Sequence, residues 1–320
     1  MKVSQNWLKE LVDINTTPEL LSEKLSIGGF EVESLVDTSL KYKGIVLGKV
    51  IKAIKHNNSD KLSICEVDIG TGRLQIVCGA NNVRSDIYVY VATIGTYLEK
   101  VNLTIKASEI RGVHSEGMIC SLEELGLEEK SDGIAIVEKS MFQKFELGTP
   151  ISELLELNDF IYELAITANR PDGMSMIGIA REVSALLQTK LYNLEISDNL
   201  PINEFQPQII KTNAINHDSI YSITSIGNVN GKKTSPKWLK DRLEKSDIKS
   251  INLIVDITNY ILLEQGQPLH AFDKDKLSKL IGKSVSQNDF GIREGNEGET
   301  LKCLDGNIYN LNKNITVITC

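Results

Sequence analysis

Thr258, Asn259 and His270 stand together in one stretch, DITNYILLEQGQPLHAFD, running from Asp256 to Asp273. A hydroxyl and a carboxamide on adjacent residues can donate to and accept from a ribose or an ester oxygen. A neutral imidazole can orient water or hold a ribose hydroxyl near pH 7. Pro268 restricts the chain two residues ahead of His270 and so fixes where the ring points. The same residues also have a purely structural reading. A Thr-Asn pair at a strand end is commonly a turn or cap, and a lone histidine is commonly a satisfied structural residue. Ile257, Tyr260, Ile261, Leu262 and Leu263 make the segment look buried. His56, His114 and His217 have no carboxylate or cysteine at ligand spacing, so structural roles are expected for them. GIREGNEGE lacks the GxGxxG spacing of a phosphate cradle and reads as a turn.

Several kinds of element must position these groups. TTPELLSEKLSIGG predicts a helix capped by Thr17, with Pro18 at its first position, Leu20, Leu21 and Leu25 on one face, and Gly28-Gly29 as its stop. From about Lys41 the texture changes to short β-runs separated by turn residues, which indicates a small closed or half-closed barrel. Helical texture returns at SELLELND and continues through NRPDGMSMIGIAREVSALLQTKL. NLEISDNLPINEFQPQ reads as a linker. In SPKWLKDRLEKSDIK, Ser235 is the expected cap, and Trp238, Leu239, Leu243 and Ile248 the packing residues. Asp305-Gly306 signals a hairpin, and the closing run ITVITC suggests a truncated protein.

The barrel region carries uneven charge. Between Lys41 and Arg111 there are eleven Lys/Arg and six Asp/Glu, whereas Glu116 to Asp132 holds six acids and one Lys. Small barrels of this type present a strand face and loops to oligonucleotides. Lys52, Lys55, Lys61, Arg73, Arg84, Lys106 and Arg111 are the side chains expected to meet phosphates, with Tyr88, Tyr90 and Tyr97 as candidate base platforms. Solvated strand faces and cross-strand tyrosine packing account for the same residues without a ligand.

VLGKVIKAIKHNNSDKLSICEVDIG, QIVCGANNVR and IRGVHSEGMICSLEELGL resemble the tRNA-binding oligonucleotide-fold module shared by several synthetases and free tRNA chaperones. Asn57 and Asn58 stand where that family usually has a proline, a difference expected to alter loop stiffness alone. NWLKELVDI and PELLSEKLSIGGFEVES before the barrel, and ELAITANRPDGMSMIGIAREVSALL after it, are similar to the split N-terminal domain of bacterial phenylalanyl-tRNA synthetase β-subunits. SPKWLKDRLEKSDIKSINLIVDITNYILLEQGQPLHAFD is similar to the start of their editing module.

The resemblance implies an α+β multidomain chain: a small mixed domain at 1–39 and 151–200, split by an oligonucleotide-binding barrel at 40–150, then part of an α/β editing domain at 208–320. It also implies that Thr258, Asn259 and His270 line an editing pocket that hydrolyses tyrosine mischarged onto tRNA(Phe). The Gly-rich turn and the acidic residue that complete this pocket in the family lie further along than Cys320, so the chain alone is expected to hydrolyse little or no tyrosyl-tRNA(Phe). Implied partners are the α-subunit, in an (αβ)2 heterotetramer, and tRNA(Phe). ATP and magnesium belong to the complete enzyme, with no cofactor in this stretch. A stand-alone tRNA-binding or chaperone protein is the alternative; it leaves Asp256–Asp273 without a use. A third is a non-catalytic assembly module holding a partner chain.

The totals agree with these expectations. A chain of 320 residues suggests two or three domains, and a net charge of -8 argues against wholesale basic nucleic-acid binding but not against a local basic face. The five cysteines are odd in number and without CxxC, so buried thiols in a reducing cytoplasm are expected rather than zinc or disulfides. No apolar run approaches the ~20 residues of a membrane span.

Overall fold

A computed structural model of the chain describes residues 1–138, 145–192, 208–211, 220–286, 289–303 and 306–319. The chain divides into two compact units, Met1–Leu191 and Tyr192–Cys320.

In the first unit, Ser4 ends strand β1 (Lys2–Ser4) and caps helix α1 (Gln5–Leu11) by accepting from Trp7 N at 3.1 Å. Its hydroxyl also donates to the buried Asp159 carboxylate at 2.6 Å, which ties the chain start to a residue 155 positions away. Helix α2 (Pro18–Ile27) follows the sequence expectation: Thr17 Oγ1 accepts from Leu20 N at 3.3 Å, and Leu21 and Leu25 are fully buried, though Leu20 is exposed. Strands β2 (Glu31–Asp37) and β13 (Phe160–Ala165) join β1 in an antiparallel sheet of order β1-β13-β2. The sheet thus takes strands from both sides of the barrel, which enters between β2 and β13.

The short helix α3 (Ile151–Leu154) follows the barrel, and the last piece of this unit is helix α4 (Met176–Leu187), entered through the 3-10 turn Pro171–Met174. Arg170 stacks 4.0 Å over the Phe30 ring and pairs with Asp172 at 2.9 Å and Glu182 at 2.8 Å. A Cβ on Gly178 would sit 1.7 Å from the Asp172 carbonyl oxygen, so only glycine lets the helix start this close to the turn. Gly178→Ala is expected to cost at least about 2 kcal/mol through forced backbone movement, read as a lowered urea midpoint. An unchanged midpoint would show that the turn shifts freely.

The barrel is built on β3 (Ile45–His56), β4 (Ser59–Asp68), β5 (Arg73–Cys78), β6 (Ile87–Thr93), β11 (Gly117–Ile119) and β12 (Ile136–Val137). The sheet order is β11-β6-β3-β4-β5, with β12 also on β6. Register shifts after Val50 and after Lys55 let the long β3 coil and serve two neighbours. The ends nearly meet: Gln75 O accepts from Glu116 N at 2.8 Å, and Ser115 Oγ accepts from Val77 N at 3.1 Å. Leu47, Val50, Cys65, Val67, Ile76, Val89 and Cys120 fill the interior. Burial pushes the Cys65 and Cys120 thiols up to about 12, so both are inert apolar filler. Two short pairs complete the barrel region, β7 (Tyr97–Leu98) with β8 (Leu103–Thr104) and β9 (Ser108–Ile110) with β10 (Val113–Ser115).

In the second unit, β14 (Gln208–Lys211) pairs with β15 (Ile220–Ile223). Three helices follow, α5 (Lys237–Lys245), α6 (Leu253–Gln265) and α7 (Lys274–Ile281). Strands β16 (Gly291–Glu294) and β19 (Thr316–Thr319) pair, as do β17 (Thr300–Lys302) and β18 (Ile308–Asn310), the latter across the expected hairpin. Asp305 itself, the 193–207 linker stretch, His217 and Cys320 lie outside the described residues. GIREGNEGE is corrected in part. Its first four residues are β16, because Gly291 to Glu294 pair with Thr319 to Thr316, and only the remainder turns.

Candidate functional site

The Thr-Asn pair lies inside a helix, not at a strand end. Asn252 caps α6, accepting from Ile254 N at 3.1 Å and Val255 N at 3.2 Å, and Gly266 ends it with φ +74°. The segment is less buried than its apolar residues suggest, since Ile257 is 45% and Leu262 37% exposed. Its inward positions are instead polar: Asp256 and Glu264 are buried, and Tyr260 is half-buried between them.

Asp256 is a hub. Its carboxylate accepts from Ser235 Oγ at 2.5 Å, Ser250 Oγ at 2.5 Å and Ile251 N at 2.8 Å. Burial pushes its acidity toward the neutral form, but these donors outweigh burial and hold the group below the usual carboxylate range. Ser235 is therefore not the cap expected for α5. Its hydroxyl turns inward to Asp256, and α5 begins on Pro236 without a side-chain cap.

Beside the hub, Tyr260 OH donates to Glu264 and accepts from Arg242 Nη1 at 3.0 Å. Burial, reinforced by Glu264, raises the Tyr260 phenol well above its ordinary value. Trp238 meets the Tyr260 ring edge-on at 5.5 Å, and the Arg242 guanidinium lies 5.3 Å from the indole. Leu239 and Leu243 pack as expected, but Trp238 does so only in part, at 53% exposure.

On α6, Thr258 and Asn259 occupy adjacent positions and point about 100° apart. Thr258 Oγ1 donates to Val255 O at 2.7 Å, which leaves its lone pairs for a ligand. Asn259 is half-buried, and its carboxamide has no partner among the described residues. His270 is exposed in the loop after Gly266, edge-on to Phe272 at 4.5 Å, and Phe272 in turn sits 5.2 Å from Phe290. The imidazole is thus braced by an aromatic chain while the residue stays exposed. A shallow hollow along α7, lined by Asp275, Ser278, Lys279 and Lys283 among others, includes none of the three.

The barrel candidates fall into groups. The β3–β4 and β9–β10 hairpin tips are stitched together: His56 Nε2 lies 3.2 Å from Ile110 O, Asn58 Nδ2 donates to Arg111 O at 3.3 Å, and Arg111 Nη1 donates to Asn58 O at 3.1 Å. Asn58 N donates to His56 Nδ1 at 3.0 Å, so the buried His56 carries its hydrogen on Nε2 and serves the turn. Lys55 and Lys61 are exposed beside these tips without an ion pair among the described residues. Arg111, at φ +50°, is as much a strut as a charge. Exposed Lys52 and Arg84 lie on neighbouring segments joined by Ala53 N donating to Ser85 Oγ at 3.0 Å, and Arg84 also donates to Asn82 O at 3.4 Å. Arg73 is held by Glu66 at 2.7 Å. Lys106 is exposed on the segment after β8.

Two tyrosines change roles. Tyr90 is only 4% exposed and belongs to the barrel core, so it cannot stack a base. Half-buried Tyr88 sits under Lys49, whose ammonium is 5.7 Å from its ring centre, leaving exposed Tyr97 as the open platform. Among the described residues no group of three or more His, Cys, Asp or Glu is placed to hold a metal, and no helix is long and apolar enough to cross a membrane.

Sequence comparison adds relatives to this geometry. A family profile described as a putative tRNA binding domain matches residues 45–144, and one described as a B3/4 domain matches residues 218–320. The whole chain is 66% identical over 321 residues to a phenylalanine–tRNA ligase beta subunit of Prochlorococcus marinus subsp. pastoris. It is 64% identical over 321 residues to that of Prochlorococcus marinus strain MIT 9312, and 49% identical over 321 residues to that of a Synechococcus species. Each match covers 100% of this chain and 39% of the relative, so the chain spans about two fifths of the length of the relatives it matches.

Proposed function

The chain belongs to the phenylalanine–tRNA ligase beta-subunit family, and on that premise we propose that it is the tRNA-facing front part of such a subunit. The barrel grips tRNA(Phe), and α6 with its following loop supplies part of a pocket that hydrolyses misattached tyrosine. The stand-alone tRNA-binding reading is not favoured, because similarity runs through both units and not the barrel alone. A cytoplasmic (αβ)2 heterotetramer with an α-subunit belongs to the same proposal, with ATP and magnesium used on the partner chain.

Physical need supports the hydrolytic half. An apolar pocket that accepts phenylalanine rejects an added hydroxyl by only about a hundredfold. A second site must therefore admit the tyrosyl ester. Asn259 and Thr258 hold the ribose or ester oxygens, and His270 orients a water toward the carbonyl carbon. Water adds there, the ester C–O bond breaks, and tyrosine and the tRNA hydroxyl leave.

The observation that carries the binding half is the stitched pair of hairpin tips, which sets exposed Lys55 and Lys61 at one end of a barrel matched to a tRNA-binding family. In the full-length chain assembled with its partner, Lys55→Gln/Lys61→Gln is expected to lower the slope of log affinity for tRNA against log salt by about 1.5. Affinity at moderate salt falls roughly tenfold with it. A slope equal to that of the unaltered complex would remove the barrel tips from the interface.

A further inference from the structure

The strongest positive patch outside the barrel lies on the second unit. Residues 231–250 hold seven Lys/Arg against Asp241, Glu244 and Asp247, within a chain of net charge -8. Tertiary contacts gather these charges. Asp256 draws Ser235 and Ser250 onto one carboxylate, and Leu253 N donates to Lys233 O at 3.2 Å. The loop before α5 is therefore laid against the link between α5 and α6. Lys232, Lys233 and Lys249 come to one edge, with Lys237 on the first turn of α5. All four are exposed and have no ion pair among the described residues. Next to Lys237 stands Trp238, 53% exposed, its ring steadied by the Tyr260 ring at 5.5 Å and 85° and by the Arg242 guanidinium at 5.3 Å.

Exposed lysines beside a braced, half-open indole have the composition of a single-stranded nucleic-acid surface: point charges for the sugar-phosphate backbone and a π-face for one base. Tyr260 follows Asn259 on α6 about 100° round the helix, so the platform lies one position from Asn259 and on the side of α6 away from Thr258. We propose that this edge is a second RNA contact, separate from the barrel, which binds the backbone of the single-stranded 3′ end of the tRNA and stacks one of its bases on Trp238. It rests on the proposed tRNA-bound function and adds to it a way of holding the ester-bearing strand beside α6. A protein partner fits less well, since interface centres are depleted in lysine.

The test uses the full-length subunit in its complex. Lys233→Gln/Lys237→Gln/Lys249→Gln is expected to lower the salt slope of tRNA binding by about 2. Trp238→Ala is expected to weaken binding of tRNA roughly tenfold and to raise KM for deacylation of tyrosyl-tRNA(Phe) with kcat retained, while Trp238→Phe restores most of the loss. Activation of the amino acid by ATP, which needs no tRNA, serves as the folding control. Unchanged slope and affinity in all variants, beside a normal response to the barrel pair, overturn this inference alone. Charge variants that weaken subunit association while the assembled complex binds tRNA normally make the patch a protein interface and overturn it too. A wild-type complex without salt-sensitive tRNA binding overturns both this inference and the proposed function.

Discussion

Asp256→Ala is expected to destabilise the Tyr192–Cys320 unit by at least about 3 kcal/mol, enough to abolish its cooperative melt at moderate temperature. The carboxylate is fully buried and accepts from two serine hydroxyls and a backbone N–H. Truncation leaves those three donors without an acceptor, and each buried unsatisfied group costs about 1–3 kcal/mol. Asp256→Asn keeps the shape but loses the charge and turns an NH2 toward a donor, so an intermediate loss is expected. Because the folded-state acidity is held below the unfolded value, the contribution is present above the unfolded carboxylate pKa of about 3.9. It disappears as pH falls through the lower folded value. The Ala variant should therefore show a flatter loss of stability below about pH 4 than the wild type. Urea unfolding across that range decides the matter; a loss below about 1 kcal/mol would mean that the serines turn to solvent and the hub is dispensable.

Asn259→Ala and His270→Ala, introduced separately into the full-length subunit, are each expected to slow hydrolysis of tyrosyl-tRNA(Phe) about a hundredfold while leaving aminoacylation intact. The Asn259 carboxamide is half-buried and without a partner among the described residues, so its removal leaves no protein group unsatisfied. Among the described residues the ring contact of His270 is with Phe272, and His270 sits outside the core. Both changes should leave the unfolding free energy within about 1 kcal/mol of wild type, which separates a chemical role from a structural one. Thr258→Val is expected to be milder, because its hydroxyl hydrogen already serves Val255 O within the helix. Full hydrolytic activity in both alanine variants would return α6 to the role of scaffold.

Much of the first unit was legible in the linear order of residues. Thr17, Pro18 and Gly28 bracket α2 because capping is a contact between near neighbours. The barrel strands announce themselves by turn residues at short spacing, and their register follows from alternation. The segment from Asp256 to Asp273 was harder. Its Thr-Asn pair suggested a strand end, yet Asn252 and Gly266 are the caps of a 13-residue helix, and a mixed run of Ile and Leu does not by itself separate strand from helix. Trp238/Arg242 and Tyr260/Glu264 are spaced four apart, a signal that becomes readable only once both segments are known to be helical.

By itself the sequence determined the family, most local elements of the first unit, the barrel and the residue types able to hold an ester and a phosphate chain, because each is written in short-range spacing or in long runs of similarity. Tertiary structure decided what those groups touch. Ser235 reaches Asp256 across 21 positions, Asn58 clasps Arg111 across 53, and Ser4 meets Asp159 across 155. Such partners are chosen by the folded path of the chain and not by their neighbours in it. A hydroxyl that looks like a cap can then become a buried strut, and lysines scattered through a loop and a helix can be brought to one edge.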